Sequence, residues 1–97
     1  MDLRAWDATV AGRDWTIGVE AETRVGDLQA LQRRLALKVR DGTVSAVILM
    51  LNDTHHHREI VSAADASLRE SFPTDARRAL RALSRGEAPA SSAVVLL

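Results

Sequence analysis

Three carboxylates are the side chains of this sequence best suited to chemistry. Asp7 precedes a turn-forming stretch, Ala11-Gly12-Arg13-Asp14, and Glu20 and Glu22 follow it two residues apart. If the flanking segments pair as a hairpin about Gly12 and Arg13, Val10 faces Trp15 and Asp7 faces Gly18, with Glu20 diagonally adjacent. Side chains alternate along a strand, so Asp7, Gly18, Glu20 and Glu22 share one face while Trp6, Val10, Trp15, Ile17 and Val19 share the other. Carboxylates crowded in this way repel one another unless a cation lies among them, and hard oxygen donors suit Mg²⁺ or Mn²⁺. Gly18 leaves room beside Asp7 for a metal ion or a substrate phosphate. The same pattern, with Thr9 and Thr16, also describes the solvated side of an ordinary antiparallel hairpin.

Other groups carry weaker signals. His55-His56-His57 follows Asp53 and Thr54 and falls in the first turn of a helix, where consecutive residues diverge by about 100° and do not converge on one ion. Arg77, Arg78, Arg81 and Arg85 form a stripe opposite Ala79, Leu80 and Leu83; it suits phosphates if it lies beside the acidic face, and is otherwise a solvated helix face. Lys38 is placed to favour a helix C-terminus. No cysteine is present, so thiolate metal sites, thiol nucleophiles and disulfides are excluded. No glycine-rich phosphate loop occurs, and the serines lack a recognisable histidine and acid, which argues against nucleotide-binding and serine-hydrolase readings.

The elements that must position these groups follow from periodicity. Leu3 to Val10 and Trp15 to Arg24 read as the two strands of the hairpin. Asp27 caps a helix from about Leu28 to Arg40, with Leu28, Leu31, Leu35 and Val39 on its inner stripe and Gly42 as a left-handed C-terminal stop. Val44 to Leu51 is apolar nearly throughout, as befits a central strand covered on both faces. Ile60, Val61, Ala64, Leu68 and Phe72 mark a second helix stopped by Pro73; Ala76, Ala79, Leu80 and Leu83 mark a third stopped by Gly86; Ala93 to Leu97 closes a last strand. The order β-β-α-β-α-α-β predicts a small mixed α/β sheet, with a right-handed crossover making the second and third strands parallel.

Composition agrees with one folded domain spanning residues 1–97. The hydrophobic share of 46% exceeds what disorder allows, and 13 basic against 13 acidic residues leave no overall positive charge to hold nucleic acid. The first residues lack the apolar core of a signal peptide, no run is long enough to span a bilayer, and cytoplasm is the expected compartment.

Asp7 in one strand, Glu20-Ala21-Glu22 in the next, then a helix carrying Gln32 and a buried parallel strand, resemble the core of the PD-(D/E)xK restriction-endonuclease-like superfamily. The resemblance implies that Asp7 and Glu20 are ligands of a catalytic Mg²⁺ or Mn²⁺, that Glu22 stands at the position of the superfamily's lysine, and that Gln32 accompanies the site from the helix. Trp15 to Arg24, Asp27 to Arg34, Val47 to Leu49 and Asn52 to Thr54 also resemble the C-terminal region of Xre-type helix-turn-helix regulators of high-GC bacteria. Two functions follow as expectations. One is a regulatory, effector or dimerisation module of a DNA-binding transcriptional regulator, with a fused or partner helix-turn-helix domain. The other is a magnesium-dependent endonuclease acting on DNA. An apolar terminal strand with an open edge predicts a homodimer.

Overall fold

The computed structural model describes residues 6–42 and 44–97. The elements run β1 (Ala8–Ala11), β2 (Thr16–Glu22), α1 (Leu28–Asp41), β3 (Ala46–Leu51), α2 (His55–Ala63), α3 (Asp65–Ser71), α4 (Ala76–Ser84) and β4 (Ala93–Leu96). They build one sheet in the order β1-β2-β3-β4, in which β1 is antiparallel to β2 while β2, β3 and β4 are mutually parallel. The small mixed α/β sheet expected from the sequence is therefore present, with the parallel crossover in place. The expected start of the first strand at Leu3 lies outside the described residues.

Local chemistry explains most boundaries. The Asp27 carboxylate accepts the Ala30 N–H at 3.0 Å and starts α1, Thr54 accepts the His57 N–H at 3.1 Å and starts α2, and Asp75 accepts the Arg77 N–H at 2.7 Å and starts α4. Gly86, at φ 74°, ends α4: its N–H bonds Leu83 O while that of Glu87 bonds Ala82 O, the paired closure that a left-handed glycine permits. Gly42 differs from expectation, having extended backbone (φ −103°, ψ −166°). A Cβ there would lie 2.7 Å from Lys38 O, so close approach to the helix end, and not left-handedness, selects the glycine. The single helix expected through Ile60 and Phe72 is two, because α2 closes at Ala64 before α3 begins.

The hairpin register also differs from expectation. Gly12 N–H bonds Trp15 O, which centres the turn on Arg13 and Asp14 and pairs Thr9 with Gly18 and Val10 with Ile17. Moving the turn by one residue slides the partners by two, which preserves the faces inside the strands. Ile17 and Val19 thus still oppose Gly18 and Glu20.

Two layers cover the sheet. On one face α1, α2 and α3 bury Val47, Leu49 and Leu51 beneath Leu28, Leu31, Leu35, Leu68 and Phe72. On the other, α4 sets Ala79 against Ile17, Ile48, Ala93 and Val95. Trp15 packs with this second layer as expected, whereas Trp6 packs with the first. The two tryptophans lie on opposite faces because β1 begins only at Ala8, so Trp6 precedes the strand and escapes its alternation.

Candidate functional site

Gly18, Glu20 and Glu22 stand beside Val47, Leu49 and Leu51 in the parallel register of β2 and β3, which puts them on the face that α1 covers. The centre of the acidic side is therefore covered, while Glu22 stays partly exposed and Asp7 exposed. Glu20 is 5% exposed. An isolated carboxylate that deep costs several kcal/mol in lost hydration, and the fold offsets this with cations from α1. Lys38 Nζ lies 2.8 Å from Glu20 Oε1, and Arg34 Nη2 lies 2.8 Å from Glu22 Oε1 and 3.9 Å from Glu20 Oε2. Arg34 and Lys38 are four residues apart, one helical turn, and flank the leucine stripe that docks α1.

Trp6 roofs this cluster. Its ring lies over Gly18, where a Cβ would come 2.5 Å from the indole Cδ2, and Lys38 Nζ lies 5.2 Å from the ring centroid. The slot left by Gly18 is thus filled by an indole. The ammonium meets a carboxylate on one side and a π face on the other. The expectation that Trp6 and Glu20 take opposite faces is overturned.

Asp7 takes a different part. Its Oδ2 accepts the Ala21 N–H at 2.9 Å, supplying an acceptor to β2 beyond the last residue that β1 pairs. Gln32 is separated from the cluster by the body of α1: Ser67 Oγ reaches its Oε1 at 3.4 Å, and it lines a cavity of about 260 Å³ with Val39, Val47, Phe72 and Ser92. Its amide nitrogen is buried without a partner. Of the four residues expected to form a site, Glu20 and Glu22 come together, Asp7 stands at the neighbouring sheet edge, and Gln32 faces α3.

Whether these residues fit the Mg²⁺ or Mn²⁺ implied by the family resemblance is decided by their oxygens. Glu20 and Glu22 are engaged by Lys38 and Arg34, and Asp7 by a backbone N–H. Among the described residues no three acidic, histidine or cysteine side chains converge as a metal site. As arranged, the cluster is neutralised by protein cations and does not form a metal cradle.

The histidines serve structure. His55 pairs with Glu59 at 3.0 Å on the surface. His56 Nε2 donates to Val25 O at 2.9 Å, while buried His57 donates from Nδ1 to Asn52 O at 2.8 Å and accepts the Val25 N–H at Nε2, 3.1 Å away. These bonds assign His57 the neutral tautomer with its proton on Nδ1. The arginines of α4 lie on the far side of the sheet from Glu20, so they do not supply the acidic face with a phosphate grip.

Lys38, Arg34 and Trp6 were missed as members of the cluster. The helical phase of Arg34 and Lys38 beside Leu31 and Leu35 was the available signal; for Trp6 there was none, since its face depends on where β1 starts. Comparison with known proteins finds no family model, curated relative or solved structure that matches the chain. No helix among the described residues is long and apolar enough to cross a membrane.

Proposed function

We propose that this chain is a non-catalytic regulatory or dimerisation module with a restriction-endonuclease-like sheet, working in the cytoplasm with a DNA-binding transcriptional regulator. The observation that carries the reading is the sealing of Glu20. A nuclease of this kind needs its carboxylates open to a metal, a water and a phosphodiester. Here the central carboxylate is held by an ammonium, covered by α1 and roofed by Trp6. A helix-turn-helix domain, fused or separate, supplies DNA reading in this proposal. The open edge of β4 supplies a second copy with a surface for a homodimer.

A magnesium-dependent DNA endonuclease is the second reading. It is favoured by the nearness of Asp7 to Glu20, since the Asp7 carboxylate accepts the N–H of Ala21, the adjoining residue of β2. It requires Glu20 to exchange Lys38 for a metal ion.

Incubation with supercoiled plasmid in Mg²⁺ or Mn²⁺ separates the two. The proposal expects no nicking and no metal-dependent rise in Tm, since the carboxylates already have their cations. Metal-dependent nicking that disappears in Glu20→Gln overturns it. Light scattering tests the homodimer separately, and a monomer mass at high micromolar concentration removes that part.

A further inference from the structure

The arginine stripe of α4 has no task in the cluster under α1. Arg77, Arg78, Arg81 and Arg85 are all exposed, and none makes an ion pair with a described residue. At about 100° per residue, the four fall within about 100° of arc, centred about 180° from buried Ala79 and its inward neighbours Ala76 and Leu83. The stripe therefore points straight out from the sheet. At about 1.5 Å per residue it extends some 12 Å from Arg77 to Arg85.

Charge is segregated to match. Residues 76–97 contain four arginines and one glutamate, a net charge of +3, while the other nine basic and twelve acidic residues leave −3 on residues 1–75. Overall neutrality conceals a basic face. Four of the acids elsewhere are paired with cations within the fold: Glu20 with Lys38, Glu22 with Arg34, Asp53 with Arg58 and Asp65 with Arg69. Beside the stripe runs a groove of about 590 Å³, lined by Thr74, Asp75, Arg78, Ala82 and Ser91, in which the Asp75 carboxylate accepts the Arg77 N–H.

We infer that the outer face of α4 binds the phosphate backbone of duplex DNA without reading its bases. Four guanidinium groups in one sector, each free to present its fork of donors, fit a row of phosphates. Leu80 is the one large apolar side chain that α4 exposes, so a lipid surface gains almost nothing to bury there. The choice of DNA over other polyanions rests on the DNA-associated function proposed above; the location of the site rests on α4 alone.

The test is fluorescence anisotropy of a labelled duplex of mixed sequence, about 16 bp long, titrated with the intact chain between about 50 and 200 mM salt. Each phosphate neutralised contributes about 0.9 to the slope of log K against log salt, so three to four contacts give a slope near −3. Arg77→Gln with Arg81→Gln is expected to weaken binding at least about tenfold and flatten the slope by about two. Arg24→Gln with Arg33→Gln, away from α4, is expected to leave both unchanged. Thermal melts verify that each variant folds. Equal binding by the α4 double variant overturns the site and leaves the DNA-associated function standing. Absence of duplex binding by the intact chain at the lowest salt overturns the inference, as does binding to phosphatidylserine vesicles without binding to the duplex. None of these three results bears on nicking or metal response, by which the proposed function itself is judged.

Discussion

Under α1 the sheet presents Gly18, Glu20 and Glu22 among valine and leucine, and the helix answers with Lys38 on Glu20 and Arg34 on Glu22 at the rim. Under α4 it presents Ile17, Ile48, Ala93 and Val95, and the helix answers with Ala79, all its arginines pointed outward. The first layer fixes its helix by directional contacts: a carboxylate that deep accepts few positions of its ammonium. The second is held by close contact of small apolar surfaces, which sets distance more firmly than direction. Charge is therefore a registration device on one side of the sheet and a solvent-facing surface on the other.

That difference is open to attack, beginning with the largest effect. Lys38→Met leaves Glu20 buried with only the longer 3.9 Å contact to Arg34, and is expected to destabilise the fold by about 3 kcal/mol in urea titration. Arg81→Met on the other layer should change stability by less than about 0.5 kcal/mol. Combining Lys38→Met with Glu20→Gln is expected to recover much of the loss, because no unpaired charge remains. Equal, small effects of the two single substitutions would erase the distinction between the layers.

Gly18→Ala sharpens the comparison at the roof. Its added methyl meets the Trp6 ring, so a loss of about 1–3 kcal/mol is expected, with a change in tryptophan emission as the indole is displaced. Unchanged emission would mean that Trp6 does not depend on the glycine slot. A smaller loss in the α1 layer belongs to Asp27→Ala, which removes the cap that starts α1 and is expected to cost about 1 kcal/mol, read from the urea midpoint.

What the sequence disclosed follows the range of the interactions. The caps at Asp27 and Gly86 act over three to five residues, and both were legible. The apolar run from Val44 to Leu51 announced a strand covered on both faces, and helix-mediated connection to β2 dictated parallel pairing. The acidic face was legible as a set of residues but not as an environment. Whether Glu20 meets water, metal or protein depends on the rotation of α1, which no local pattern encodes. Trp6 was misassigned because alternation was extended past the end of β1. Gln32 was drawn into the cluster by analogy alone, although its helical phase puts it on the opposite flank of the leucine stripe from Arg34 and Lys38.

The clasp on Val25 has a bearing on the order in which this chain assembles. Both backbone groups of that residue, in the turn between β2 and α1, are satisfied by His56 and His57, more than thirty positions later. Hairpin and first helix are neighbours in sequence and need only short loop closures, yet the turn joining them stays incomplete until α1, β3 and the start of α2 have all been threaded into place. The turn thus behaves as a latch that shuts late: a nascent or truncated chain ending before His56 carries β2 and α1 with the ion pairs between them but lacks both side chains that bond the Val25 backbone.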